Sequence, residues 1–328
     1  ERPQKGRYRE FYQADIDVIG QETLSIQHDA DMVRVLHSVM GALPVGAVTI
    51  HINNRKVLEG IYRALGVEDV VPVLRTVDKL DKIGPEKVRE ELAELGLAPG
   101  AIDTVLAAGE IRGADEGVVE AIRALGVSHP ILDEGLDELG FVLRACADLP
   151  AGSVVADLHI ARGLDYYTGT VYEGLLDDEP GLGAVCSGGR YDNLAAMGGK
   201  AKLPGVGVSI GISRLLGQAF AQDSLVASRQ TPTCVLVALD NDERRAAAQV
   251  AASALRARGI ACEVFDRPQK YGKQIKYADS KGIPFVWFCG DAGAADTVKD
   301  IRSGEQVEAT ADTWQPPAED LHPRVLRR

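Results

Sequence analysis

Arg162 stands four and five residues ahead of Tyr166 and Tyr167 in R-G-L-D-Y-Y-T-G-T-V-Y-E, residues 162–173, an otherwise apolar, strand-like run. A guanidinium keeps its proton at any ordinary pH, so a buried one must face an anion, either a carboxylate of the chain or a bound phosphate. The run therefore reads as one wall of a pocket, and Arg162 is the first residue to explain.

A second strip lies at the start of the sequence. Tyr8 to Ile19 has the pattern of a strand, whose period of two puts Arg7, Arg9, Phe11, Gln13, Asp15 and Asp17 on one face and Tyr12, Ala14, Ile16 and Val18 on the other. An ordinary half-solvated edge strand would show the same alternation. The order of the polar face fits a binding strip as well. Cations and an aromatic come first, for a phosphate, and an amide and two carboxylates follow, for an amino or imidazole group. A basic turn, Pro3 to Gly6, precedes it. Farther on, A-V-C-S-G-G-R-Y-D-N-L turns tightly through Gly188 and Gly189 toward Tyr191. G-V-G-V-S-I-G-I-S-R-L-L then reads as a buried strand over 206–210, a glycine, and a helix whose first turn presents Arg214. The spacing Gly205, Gly207, Gly211 is neither G-x-G-x-x-G nor G-x-x-x-x-G-K-[ST], which excludes the dinucleotide-binding and P-loop readings.

Composition sets the bounds. A length of 328 residues, 45% hydrophobic and 26% charged, is that of an ordinary globular chain of two or more domains. No apolar run is long enough to span a membrane, and the charged first residues lack the apolar stretch of a secretory signal. Five cysteines, odd in number and without C-x-x-C spacing, argue against a disulfide framework and a zinc site and for a reducing, cytoplasmic setting. The net charge of −12 is concentrated in residues 68–150, with 18 acidic against 8 basic side chains, whereas residues 231–328 hold 14 of each. A polyanionic partner is thus not excluded by the overall charge.

Periodicity and breakers place the elements that must position these residues. Helices are predicted over 29–41 and 54–65 with a strand at 48–52 between them. Residues 68–150 read as a mostly helical insertion with its own apolar faces, in which Gly84-Pro85 opens a helix that stops at Gly96. Strand character returns at 153–159. After a polar linker near 222–233 the pattern strand 234–240, helix 242–258, strand 260–265, helix 270–281, strand 283–289 predicts an α/β domain, with a hairpin at Ser303-Gly304 and a final helix after Trp314.

These pieces resemble one family. E-R-P-Q-K-G-R-Y-R-E-F-Y-Q is similar to motif 2 of the class II aminoacyl-tRNA synthetases and V-G-V-S-I-G-I-S-R-L to their motif 3; R-G-L-D-Y-Y with G-G-R-Y-D, and Q-A-D-I-D-V-I-G, resemble histidyl-tRNA synthetase in particular. The resemblance implies an α+β fold: an antiparallel synthetase sheet with helices, split over 1–67 and 151–226, a helical insertion at 68–150, and an α/β anticodon-binding domain at 231–328. It implies that L-histidine attacks the α-phosphate of ATP, with Mg2+ sharing the pyrophosphate charge, and that the histidyl group then passes to tRNA(His). It also implies site residues. Arg162 and Arg7 are the catalytic cations, at the α-phosphate and the outer phosphates; Glu1, Phe11 and Arg214 join Arg7 in holding ATP. Gln13, Asp17, Tyr166, Tyr167 and Tyr191 hold histidine, and no residue is assigned to a resident metal.

The sequence also departs from the family pattern. It starts inside motif 2, without the motif 1 that builds the family's homodimer interface, so the chain is expected to be a fragment that does not activate histidine alone. Ser213 replaces a common glutamate and Cys186-Ser187 precedes G-G-R-Y-D; neither is expected to touch a key contact. The alternative is a catalytically inactive regulatory paralogue that binds histidine. The presence of the catalytic arginine and of the last domain weighs against it.

Overall fold

The computed structural model describes residues 8–160, 166–192, 194, 201–291 and 294–328, and the chain divides into two compact units, 1–218 and 219–328. The first is built on a seven-stranded sheet. Its strands are β1 (Ala14–Ile19), β2 (Val48–Asn54), β3 (Arg112–Gly113), β4 (Val154–Asp157), β5 (Tyr167–Leu176), β6 (Cys186–Tyr191) and β7 (Gly205–Ile210), in the order β1-β7-β6-β5-β2-β4-β3. All neighbours are antiparallel except β2 and β4. A parallel pair needs a crossover, and the helical segment supplies it.

One face of the sheet is covered by α1 (Gln27–Ala42) and α2 (Arg55–Ala64), followed by α3 (Val70–Val77), α4 (Leu80–Ile83), α5 (Pro85–Glu94), α6 (Pro99–Gly109), α7 (Gly117–Arg123) and α8 (Pro130–Ala145). The acidic segment is not set apart from the sheet. Val73, Leu92, Val105 and Leu136 belong to the same buried cluster as Ile50, Ala156 and Val208 of the strands, and β3 forms an edge of the sheet. Helices α2 and α8 approach so closely that a Cβ on Gly60 would fall 2.4 Å from the amide nitrogen of Leu132, and one on Gly135 2.6 Å from that of Val57. Lys56 bridges the two helices through Glu134 at 2.6 Å and Glu138 at 2.5 Å.

The sequence predicted a strand from residue 8, yet β1 begins only at Ala14. Its partner β7 ends at Ile210, which pairs with Ala14, so residues 8–13 have no strand to join, and the amide of Tyr12 donates instead to Ser213 Oγ at 2.8 Å.

After α9 (Ile212–Ala221), the second unit contains β8 (Leu225–Ala227), β9 (Val235–Val237), α10 (Arg245–Ala257), β10 (Cys262–Val264), α11 (Tyr271–Lys281), β11 (Phe285–Phe288), β12 (Thr297–Asp300), β13 (Gln306–Glu308), α12 (Ala318–Leu321) and β14 (Val325–Arg327). Its five-stranded sheet runs β10-β9-β11-β12-β13, parallel through β11 and antiparallel beyond. Gly304 closes the predicted hairpin at φ +77°. The expected terminal helix is a single turn, because the chain continues into β14, which pairs with β8. Among the described residues no helix is long and apolar enough to cross a membrane.

Within the first unit, Arg190 is buried and faces Asp29, which is fully buried. Its Nη2 lies 2.5 Å from Asp29 Oδ2 and its Nε 3.1 and 3.0 Å from the two carboxylate oxygens. Removing one partner of such a pair strands a charge in the core. Asp29→Ala is expected to lower unfolding free energy by about 3–5 kcal/mol. Glu59→Ala, which breaks the partly exposed Arg63–Glu59 pair, is expected to cost under about 1 kcal/mol. Urea unfolding of the two variants checks the contrast.

Candidate active site

The register of the sheet decides which side chains meet on the face away from the helices. Asp15, Ser209, Ser187, Glu173 and His51 lie opposite one another across five strands; the next row is Asp17, Gly207, Gly189, Val171 and Asn53; the next pairs Ile19, Gly205, Tyr191 and Tyr167. Between these rows the same strands send Val206, Val208, Ile210 and Tyr172 into the core. One face is therefore packed, and the other is polar and stepped.

At the end of this face lies a cleft of about 230 Å³. Tyr8, Phe11, Tyr12 and Gln13 form one side of it, and Ala184 to Ser187 with Ser209, Gly211, Ser213 and Arg214 form the other. Arg214, in the first turn of α9, donates to the carbonyls of Leu182 and Ala184, which fixes its guanidinium along the cleft wall. Phe11 is 54% exposed and so has a ring face available to a planar ligand. Gln13 Nε2 donates to Ser209 Oγ on the neighbouring strand.

Two rows farther along β1 is a second cluster. The Tyr191 hydroxyl donates to Asp17 Oδ1 at 2.7 Å, reaching across β7. Tyr167 is the cross-strand partner of Tyr191, and its ring meets that of Tyr166 edge-on at 4.5 Å, the two hydroxyls 3.5 Å apart. Burial, and then the hydrogen bond to Asp17, holds the Tyr191 phenol protonated well above its ordinary range; burial and then Tyr166 does the same for Tyr167. With its proton committed to Asp17, Tyr191 leaves mainly acceptor capacity on the pair, so the cluster suits a ligand that donates N–H.

Of the residues expected to act, Phe11, Gln13 and Arg214 come together in the cleft, and Asp17, Tyr166, Tyr167 and Tyr191 in the neighbouring cluster. Glu1, Arg7 and Arg162 lie outside the described residues. Ser187 and Ser213, which the sequence reading set aside, both line the cleft, as does Ser209. Register parity with Asp15 would have exposed Ser187 and Ser209. Tyr12, assigned by alternation to the opposite face, also lines the cleft, because residues 8–13 do not continue the strand. Arg190 belongs to the core rather than to the site. Among the described residues no three His, Cys, Asp or Glu side chains are grouped to hold a metal ion.

A mostly antiparallel sheet with a cleft beside a hydrogen-bonded Asp–Tyr cluster, followed by an α/β unit, fits the architecture of a class II aminoacyl-tRNA synthetase. Residues 1–215 match the family model for histidyl-tRNA synthetase, and residues 233–314 match that for an anticodon-binding domain. The histidine–tRNA ligase of Micrococcus luteus is 54% identical over 100% of this chain and 72% of its own length; that of Cutibacterium acnes is 52% identical over 99% and 74%. The crystal structure of histidyl-tRNA synthetase from Nostoc sp. PCC 7120 superimposes with a TM-score of 0.64 at 35% identity, covering 93% of this chain and 73% of that one. The chain belongs to the histidyl-tRNA synthetase family.

One wall of the cleft carries a testable mark. Cys186 lines it from the core side, and burial pushes its thiol from 9.0 up to about 12. The folded state therefore keeps the proton between those values while the unfolded state loses it, so this thiol's contribution is whole below pH 9 and is lost as pH climbs toward 12. At pH 8 Cys186 is expected to resist a maleimide in the folded chain and to react on addition of urea, read by mass spectrometry of its tryptic peptide.

Proposed function

We propose that the full-length protein activates L-histidine with ATP and transfers the histidyl group to tRNA(His), this chain supplying the cleft for the adenosine and the Asp17–Tyr191 cluster for the imidazole. The observation that supports this reading is that the cleft and the Asp17–Tyr191 cluster lie on one face of one sheet, Asp17 and Asp15 on β1 and Gln13 just before it.

Adenine lies between the Phe11 ring and the Arg214 guanidinium, a stacked and cationic arrangement that favours a planar heteroaromatic. Asp17 accepts the imidazole N–H, while Tyr166 and Tyr167 close the pocket. Gln13, between the two subsites, orients the amino-acid end. Glu1 contacts adenine, Arg7 neutralises the outer phosphates and Arg162 the α-phosphate, where negative charge builds as the histidine carboxylate attacks and pyrophosphate departs. In such a reaction the protein contributes position and charge stabilisation more than covalent chemistry. Magnesium enters with the triphosphate as part of the substrate.

Transfer to RNA needs cationic surface. In the acidic segment Lys79, Arg89, Arg123 and Arg144 are engaged by Glu91, Asp103, Asp133 and Glu116. In the second unit, Lys273, Lys276 and Lys281 of α11 are exposed, and no ion pair engages them among the described residues. Free charge of this kind is what a phosphate backbone rewards. The same reading brings a homodimer of the full-length protein, and domains at 1–67 with 151–226, 68–150 and 231–328.

Pyrophosphate exchange by the full-length protein tests the proposal. Exchange is expected with L-histidine and not with other amino acids; exchange with a different amino acid would refute the assignment. Arg162→Ala is expected to lower the rate by orders of magnitude with little change in histidine affinity, because its partner charge develops only in the transition state.

A further inference from the structure

We propose that Gly205 and Gly207 are specificity-determining residues, holding Tyr191 and Asp17 in recognition geometry by leaving bare backbone beneath them. The inference rests on the histidine-pocket reading above. Tyr191 pairs with Gly205 and Asp17 with Gly207 on β7, the strand between β1 and β6. The Tyr191 ring lies over Gly205: a Cβ there would meet ring carbons Cε2 and Cζ at 2.4 Å and the hydroxyl at 2.6 Å. A Cβ on Gly207 would fall 2.0 Å from Asp17 Oδ1, the oxygen that accepts the Tyr191 hydrogen bond, and 2.8 Å from the Ile16 carbonyl. One missing atom at each position thus governs both ends of one hydrogen bond.

At Gly205 the nearest obstacle is the Tyr191 side chain alone, whereas at Gly207 the Ile16 carbonyl also stands within 2.8 Å of an added Cβ. Glycine weakens a strand interior, so its presence calls for a local reason. On the core face β7 carries Val206, Val208 and Ile210, all buried. On the ligand face Ser209, one row away, bears a side chain and bonds to Gln13. The bare positions coincide with the rows of Asp17 and Tyr191 and stop where those rows stop. Gly189, in the same row as Gly207, would bring a Cβ 2.8 Å from both Tyr167 Cδ1 and the Thr170 carbonyl.

Gly205 gives the cleaner test, since its added Cβ meets only the Tyr191 ring among its three nearest atoms. In the full-length protein, Gly205→Ala is expected to weaken histidine binding in calorimetry roughly ten- to hundredfold, the range for a lost hydrogen bond to a charged group, with the KM for ATP in exchange unchanged. In a Tyr191→Ala background the same substitution is expected to change neither, because the ring it strikes is gone. Unaltered histidine affinity in Gly205→Ala, or an equal loss in both backgrounds, would overturn the proposal. If Gly205→Ala proves poorly folded, recovery of folding by the added Tyr191→Ala supports the clash, and continued misfolding refutes it. A wild-type protein that binds no histidine removes the underlying reading instead, and the proposal with it.

Discussion

The buried pair between Arg190 and Asp29 is the contact on which the site's geometry depends. Strand alternation sends Arg190 toward the helices and Tyr191 toward the ligand face, so whatever fixes one fixes the other. Arg190 is clamped by the Asp29 carboxylate and by the carbonyls of Leu24 and Ser25, and Tyr172 adds a hydrogen bond to the Asp29 carbonyl at 3.0 Å. Burial pulls the guanidinium's pKa down, but Asp29 more than offsets it and the net displacement is upward. A charged pair in the core adds little net stability compared with apolar packing; its usefulness here is that it admits one register. A slip of one residue in β6 would put the guanidinium in the pocket and the phenol in the core.

With β6 fixed, the remaining strands follow as rows. The cleft and the Asp17–Tyr191 cluster are not separate constructions: both border the same stepped face, and they differ in which residue fills each crossing. Serines at the Asp15 row leave hydroxyls beside the cleft, while glycines at the Asp17 and Tyr191 rows leave room for larger side chains to lie flat. A sheet suits this task because neighbouring strands keep a constant spacing; the cleft adds to it residues 8–13, the segment 184–185 and the first turn of α9.

Much of this was legible in the residues. The period of two put Asp15 and Asp17 on one side of the first strand; the glycine pair before Arg190 and Tyr191, read as a tight turn, instead lies inside β6, where a Cβ on Gly188 would meet the Gly207 carbonyl at 2.1 Å. The α/β alternation after residue 233 showed plainly, because each element there is bounded by a turn signal. What was not legible depended on partners distant in sequence. Tyr12 reaches the cleft because β7 ends and Ser213 takes its amide, which the alternation of residues 8–19 does not disclose. Ser187 and Ser209 required the register of three strands. The helices of the acidic segment looked self-sufficient by their apolar faces, yet those faces complete the sheet's own core. Gly205 and Gly207 invited a nucleotide-loop reading by composition, and spacing alone could reject it without showing what they make room for.

Separation along the sheet face supplies the last constraint. Asp17 in the cluster lies on β1, and Phe11 in the cleft lies six residues earlier, on the segment that precedes that strand. On the proposed reading the imidazole is anchored at one end of that span and the adenine at the other, and histidine and a nucleoside phosphate laid end to end fill the interval. The carboxylate and the α-phosphorus must then meet in between, which is the arrangement that turns a bimolecular attack into an effectively intramolecular one. A shorter side chain anchored at the far end would leave its carboxylate away from the phosphorus, and one without an N–H would leave Asp17 unsatisfied. On that reading selectivity and rate arise from the same spacing, so an amino acid that fails the first requirement does not meet the second.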